Sequence, residues 1–356
     1  MAVDEVIGAQ IGDEGKGLIC EFLGLKGDYS MAIRSASPQA GHSIHFNGRR
    51  VALAHLPCAV VNPELRVLLG GASFIDPRRI LYGGKDIRPH TGEEVIFEGE
   101  ITTFGLTPDR LGIDYNAKLV TPEHIARERA SSLMGLGSIG SGVNPAKHDL
   151  IDKKATFARE DDGLKYYITD TVKEMNDALV CGENILFETD HGIELCQHFG
   201  GRFPYNTART INSSAYLGEI GLPPQVVRDV YLVLKPYSTA VAPKSPLENE
   251  IRDEKTLAEL LHTGGESGSM SGRIRRAAKF DSERFKRAVM LSGATRLAVT
   301  HLDLSSHAWN TIGFSGDQEF LSYLNDVANK TYQKPKLSIV SYGPKIEDVR
   351  QLRSSW

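Results

Sequence analysis

The sequence has few cysteines for its length: Cys20, Cys58, Cys181 and Cys196 are all that 356 residues carry. They lie far apart, with no CxxC pair and no Cys/His zinc spacing, which excludes a disulfide-stapled scaffold and a zinc module. Four reduced thiols in a cytoplasmic protein are expected. The chain also lacks any run of 18 apolar residues, so no ordinary transmembrane helix is expected. Its first residues, MAVDEVIGAQIGDEGKG, lack the charged and then apolar segments of a signal peptide. A large charge excess is missing too. With 41 Lys+Arg and 45 Asp+Glu the net charge is −4, so neither nucleic acid nor an anionic membrane is the expected partner. Internal repeats and low-complexity linkers are absent, which leaves residues 1–356 as one expected domain.

What is present is glycine, 35 residues, clustered in loops between short apolar runs. Residues 3–7, 31–34, 50–56, 65–69, 184–187, 226–234, 297–302 and 337–340 read as strands. Residues 18–23, 124–133, 166–179, 257–262, 282–292 and 317–331 read as helices. Short buried strands alternating with helices predict an α/β fold, with a mostly parallel central sheet flanked by helices. Residues 235–254, rich in proline and charge, read as a long functional loop.

The first strand runs into Gly8-Ala9-Gln10-Ile11-Gly12-Asp13-Glu14-Gly15-Lys16-Gly17. Backbone N–H groups at a strand-to-helix turn form an anion cradle, and Lys16 adds a point charge. The loop is neither a Walker A motif nor GxGxxG, since Gly17 follows Lys16 where Ser or Thr would hold magnesium. Asp13 and Glu14 would repel phosphate unless a metal ion or a proton-transfer task accounts for them, so Mg²⁺ and acid–base chemistry are expected. Acids decorating a helix N-terminus are the plainer alternative.

Nine segments, in order along nearly the whole chain, resemble the adenylosuccinate synthetases. They are the loop 12–17, Gln39-Ala40-Gly41-His42, residues 137–145, 188–192, 203–207, 235–241, 271–276, 300–303 and 341–344. The resemblance implies that family's fold, which is P-loop-NTPase-like, and a two-step reaction. A base removes the N1 proton of a 6-oxopurine nucleotide and O6 takes the γ-phosphoryl group of a nucleoside triphosphate. The amine of L-aspartate then displaces phosphate from C6.

By the same resemblance Asp13 is the base and, with the Gly41 carbonyl, a Mg²⁺ ligand. His42 is the acid at the transferring phosphoryl group. Gly12, Glu14, Gly15, Lys16, Gly17, His301, Asp303, Ser341, Gly343 and Pro344 would hold the triphosphate. The purine monophosphate would meet Asp13, Gln39, Ala40, Ser138, Ile139, Gly140, His191, Thr207, Val241, Ala242 and Arg273. Lys153 would reach it from a neighbouring copy, implying a homodimer. Met270, Ser271, Gly272, Arg273 and Arg275 would bind aspartate, whose two carboxylates suit arginine forks. A regulator with a dead site and an ordinary P-loop NTPase are the competing classes.

The chain departs from that family at Ile11, Gln39, Ile139, the turn Thr189-Asp190-His191, Ala240, Ala242, Ile274 and His301. By the resemblance these positions fall mainly at nucleotide contacts, with Ile274 in the aspartate loop, rather than at Asp13, Lys16 or His42. The pattern resembles the phage branch of the family, which joins aspartate to dGMP on the way to 2-aminoadenine DNA. It implies dGMP as acceptor, ATP or dATP as donor and, for a phage protein, the host cytoplasm.

Overall fold

A computed structural model describes residues 2–240, 242, 244–264 and 275–352. A ten-stranded sheet is built from β1 (Ala2–Gly8), β2 (Met31–Arg34), β3 (Arg66–Leu69), β4 (Leu111–Asp114), β5 (Ile168–Thr169), β6 (Asn184–Gly192), β7 (Val227–Leu234), β8 (Arg296–Val299), β9 (Lys336–Ser341) and β10 (Val349–Gln351). Its order is β5-β4-β3-β2-β6-β1-β7-β8-β9-β10, parallel throughout except for β10 on β9. The expected α/β architecture is therefore observed.

Successive strand residues face opposite sides, and both sides are apolar. Val3, Ile7, Ile33, Leu68 and Leu232 join one buried cluster, while Val6, Ala32, Val67, Leu69 and Val233 join another. The first cluster is roofed by α4 (Thr171–Val180), α5 (Ser213–Ile220), α7 (Ser282–Ser292) and α9 (Asp317–Ala328), through Met175, Tyr216, Val289 and Phe320. The second is roofed by α1 (Lys16–Lys26), through Ile19 and Leu23, and by an irregular stretch through Leu56, Val60, Ile80 and Leu106. Among the described residues the other longer helices are α2 (Pro122–Arg129), α3 (Val143–Ile151), α6 (Glu254–Gly264) and α8 (Ser306–Ile312), with short helical turns at Glu100–Phe104 and Leu133–Leu136. No helix among the described residues is long and apolar enough to cross a membrane.

Several sequence-read boundaries move for local reasons. The 124–133 helix ends at Arg129, because Ser131 Oγ donates back to the Glu128 carbonyl at 2.7 Å. The 166–179 helix starts only at Thr171, where the Asp170 side chain caps the Lys173 N–H at 2.9 Å. The 184–187 strand continues to Gly192, carrying Glu188 and Asp190 into the interior. Residues 297–302 stop pairing at Val299, since His301 turns with φ 58°. Inside 235–254, Tyr237–Ala240 is a strand paired with Arg276–Lys279 rather than loop. His42–Phe46 and Arg49–Leu53 form a hairpin, as do Gly84–Ile87 and Glu94–Phe97.

Glu5 is out of place in this core. It is fully buried in β1 between Val3 and Ile7, and no hydrogen bond of normal geometry reaches its carboxyl oxygens. Burial pushes it up from 4.5 to about 7, and the nearby Ser213 hydroxyl opposes that only in part. A carboxyl raised in the folded state stabilises most below its unfolded pKa and progressively less as pH climbs to the folded one. Relative to Glu5→Gln, wild-type stability should therefore fall by up to about 3 kcal/mol between pH 4.5 and 7, and change little beyond. Urea unfolding across that range checks it. A flat difference would contradict the burial argument.

Candidate active site

In a parallel sheet the carboxyl ends of the strands share one edge, and ligands bind where the chain reverses direction across the order. Here β1 leads towards β2 on one side, while β6 leads to β7 on the other. The residues following β1, β2, β6, β7, β8 and β9 are those singled out from sequence.

The loop after β1 is shaped by positive φ at Gly12 (137°), Asp13 (59°) and Gly15 (84°). Gly15 precedes α1 without a side-chain cap, so the first N–H groups of α1 have no competing cap acceptor. Glu14 corrects the reading of two carboxylates facing a ligand. Its side chain is fully buried, accepts from the Gln10 N–H at 3.0 Å and pairs with Lys16 at 2.7 Å. A Cβ on Gly8 would meet that carboxylate at 2.7 Å, and one on Gly192 at 2.3 Å, so two glycines make its berth. The Lys16 ammonium, also buried, is thus matched by a counter-charge beneath the loop. Asp13 remains on the ligand side, with its carboxylate 2.6 Å from Arg275.

Neighbouring strand ends clamp this loop. Gln10 Nε2 donates to the carbonyls of Lys235 and Tyr237, both at 3.1 Å. Thr300 Oγ1 donates to the Glu14 carbonyl at 2.7 Å and lies 2.8 Å from His301 Nδ1. The Leu302 N–H bonds the Ser341 carbonyl at 3.1 Å, bringing His301, Asp303 and the Ser341–Gly343–Pro344 turn to one edge. Burial raises the Asp303 carboxyl above its usual range. Lys235, fully buried and 2.8 Å from Thr239 Oγ1, is pushed down to about 7 by burial, against the pull of Asp13.

His42 opens the hairpin beside α1. Its Nδ1 lies 2.5 Å from Glu188 Oε1, and Glu188 Oε2 accepts the Cys58 N–H at 2.6 Å. A carboxylate on Nδ1 makes that nitrogen the donor and leaves Nε2 to address a ligand. Burial and the Arg34 charge hold His42 below its ordinary pKa, while Glu188 pulls the other way. Glu188 is buried too, but the His42 hydrogen bond and the His42 and Arg34 charges keep it low. Sequence reasoning gave Glu188 no role; the available signal was an acid ending an apolar strand.

Beside this pair lies a second buried network that sequence missed. Asp190 takes Arg34 at 2.9 and 2.8 Å, Ser37 Oγ at 3.0 Å and Arg209 at 3.3 Å. The Ala40 carbonyl accepts from Arg34 at 2.5 Å, fixing the 39–42 segment. His191 follows with φ 61°, its buried Nδ1 without a hydrogen-bond partner, and burial pushes it down to about 3. Gln39 Nε2 lies 3.5 Å from Thr207 Oγ1, uniting two residues expected at the monophosphate.

The second glycine loop sits further out. Ser138 Oγ bonds Glu128 at 2.5 Å, and the Ser138 carbonyl meets His90 of the 84–97 hairpin at 2.7 Å. The Gly140 carbonyl accepts from Arg129 at 3.2 Å, and Ile139 lines a cleft with Pro38. Lys153, exposed beyond α3, has φ 62°. The Ala242 carbonyl accepts the Ser245 N–H at 3.2 Å. Val241, Met270, Ser271, Gly272 and Arg273 lie outside the described residues. For magnesium, Asp13 offers one ligand-facing carboxylate beside the Gly12 and Gly15 turns. That fits a hard cation completing its shell from phosphate oxygens and water.

Removing Asp190 would leave Arg34 and Arg209 buried with too little negative charge. Asp190→Ala should cost about 3 kcal/mol in urea unfolding, with Asp190→Asn intermediate. A loss below about 1 kcal/mol would mean the two guanidiniums find other partners.

The adenylosuccinate synthetase family pattern matches residues 5–160 and 152–313. The adenylosuccinate synthetase of Thermococcus onnurineus is 34% identical over 84% of this chain and 83% of its own. That of Thermococcus sibiricus is 30% identical over 98% of each. Among solved structures, fully ligated adenylosuccinate synthetase from Plasmodium falciparum superposes with TM-score 0.80 at 19% identity, covering 99% of this chain and 100% of that one. Cyanophage S-2L succinoaminodeoxyadenylate synthetase, bound to dGMP and dATP as energy donor, gives 0.77 at 22%, covering 98% and 95%. With the loop, the His42–Glu188 pair and the strand-end clamps in place, the chain belongs to the adenylosuccinate synthetase family and is a carbon–nitrogen ligase of that type.

Proposed function

We propose that this ligase acts on dGMP, with L-aspartate as the amine and dATP or ATP as the phosphoryl donor. The contact between Asp13 and Arg275 carries the mechanistic part. It sets the Arg275 guanidinium against the loop after β1, and α1, which follows that loop, packs beside His42 at Gly17.

Asp13 takes the N1 proton of the base, and the electron pair moves to O6, which bonds the γ-phosphorus as the diphosphate leaves. The amine of aspartate then adds at C6, and the C6–O bond breaks to release phosphate. Oxygen leaves an aromatic ring poorly until phosphorylation turns it into phosphate. Before substrates arrive, Arg275 occupies Asp13; the two carboxylates of an incoming aspartate compete for that guanidinium and free the base. The approach of phosphate oxygens favours a proton on His42 Nε2, while Glu188 holds Nδ1 and steadies the resulting imidazolium. Magnesium, held by Asp13 and the Gly41 carbonyl, would spread negative charge on the triphosphate. Lys153, exposed at the end of α3, is the residue proposed to reach the monophosphate of a second copy.

Support for dGMP comes from the altered residues. His191 replaces an amide beside the 6-oxo position with a side chain held in the left-handed region. Ala242 adds a methyl near the sugar, which disfavours a ribose 2′-hydroxyl. His301 replaces the guanine-reading lysine, and burial with the charges of Lys235 and Arg275 keeps it neutral. The likeness to the cyanophage protein, whose structure holds dGMP and dATP, points the same way. IMP with GTP is the second reading, favoured by archaeal relatives at 30–34% identity that bear the adenylosuccinate synthetase name.

A panel of dGMP, GMP and IMP against dATP, ATP and GTP, with aspartate-dependent phosphate release as the readout, separates the two. The dGMP reading requires the highest kcat/KM for dGMP with an adenine donor; preference for IMP with GTP would overturn it. In the same assay His42→Asn should lower turnover by roughly 10²–10⁴-fold with an unchanged melting temperature. Near-normal turnover would remove His42 from the chemistry.

A further inference from the structure

Behind His42 lies a thiol for which the ligase reaction has no use. Cys58 begins a 3₁₀ turn, Cys58–Val61, and is fully buried. A Cβ on Gly17 would meet Cys58 Sγ at 3.0 Å and His42 Cβ at 3.3 Å, so sulfur and imidazole border the same small space. Glu188 bridges them, with one oxygen 2.5 Å from His42 Nδ1 and the other 2.6 Å from the Cys58 N–H. One donor atom from each of His42, Cys58 and Glu188 lies within 4.8 Å of the other two.

We propose that His42, Cys58 and Glu188 form a site for a thiophilic divalent cation of the Zn²⁺ or Cd²⁺ class, and that occupying it switches the enzyme off. One sulfur, one imidazole nitrogen and one carboxylate oxygen suit a borderline-soft cation and do not suit magnesium, which prefers oxygen alone. The site is therefore chemically distinct from a magnesium position at Asp13.

Tetrahedral zinc sets its donors about 3.3–3.6 Å apart. The His42–Glu188 contact must open by roughly 1 Å, and the thiol, within 4.8 Å of both, needs to close in by no more than about 1.5 Å. Binding exchanges the thiol proton for the metal, so thiolate and carboxylate together neutralise the dication. Arg34, 3.8 Å from Glu188, is already matched by Asp190 at 2.8 Å. The His42 side chain is 10% exposed and the other two are buried, so the cation enters past the imidazole, slowly, and a nucleotide lying on His42 shields the site. A metal on Nδ1 takes the place of the proton that Glu188 accepts there; the ring proton then stays on Nε2, which no longer cycles it. This inhibitory half rests on the catalytic role proposed for His42; the binding half does not.

The test titrates Cd²⁺ into the full chain without nucleotide and reads the ultraviolet charge-transfer band of a cadmium–thiolate bond. Cys181→Ser serves as the background, because that thiol is exposed. One equivalent should generate the band there. Cys58→Ser should abolish it, whereas Cys20→Ala should keep it, although the Cys20 thiol also faces Glu188. A band that survives Cys58→Ser, or no band in the background protein, would overturn the site. Should Cys58→Ser fail to fold, His42→Asn supplies the second arm. It should weaken Cd²⁺ binding in equilibrium dialysis by roughly tenfold or more, and unchanged affinity would count against the site. Zn²⁺ should also inhibit aspartate-dependent phosphate release, with slow onset that nucleotide delays. Binding without inhibition would overturn the switch while leaving the site standing; the role of His42 itself stands or falls with the turnover of His42→Asn.

Discussion

The buried carboxylate of Glu14 is the contact on which the rest of the site depends. It occupies a berth that only Gly8 and Gly192 leave open, and it binds the Gln10 N–H and the Lys16 ammonium from below. That fixes a loop whose turns at Gly12, Asp13 and Gly15 all lie in the left-handed region. Gln10 then grips the end of β7, and Thr300, after β8, grips the Glu14 carbonyl. One charged group placed inside the protein thus sets the register of several strand ends around the loop proposed to hold phosphates. Its cost of burial is offset by a paired ammonium and an amide hydrogen bond.

A second layer of buried charge governs His42. Arg34 is shared between Asp190, the Ala40 and Leu56 carbonyls and, more distantly, Glu188. Glu188 sits between that guanidinium and the imidazole, so the proton affinity of His42 reflects the whole network. Burial and Arg34 lower it; Glu188 raises it. In the proposed reaction, a triphosphate approaching Nε2 would add negative charge and tip the balance towards the imidazolium. The same crowding places Cys58 against the imidazole and gives a soft cation a set of donors.

Much of this was legible in the sequence. The strands from β1 to β3 and from β6 to β9 show as apolar runs because both faces of a parallel sheet are covered. The loop 12–17, His42 and Arg275 were singled out by residue type and family resemblance, and the structure gathers them around the start of α1. The roles of Glu188, Asp190 and Arg209 were not readable, since pairing across 146 residues, as between His42 and Glu188, leaves no local pattern. Glu14 was misread for a related reason: adjacent residues in a tight turn point opposite ways, so Asp13 and Glu14 look alike in sequence and differ in space. The 84–97 hairpin, which braces the second glycine loop through His90, also escaped, because its strands are half-exposed and weakly patterned.

The central claim is that a purine oxygen leaves as phosphate. The most direct measurement uses a purine monophosphate carrying oxygen-18 at its 6-oxo position, turned over with aspartate and triphosphate in unlabelled water. A 6-phosphoryl intermediate predicts that the label appears in the released inorganic phosphate, one heavy oxygen for each molecule of product. Label in the water and unlabelled phosphate would contradict the account.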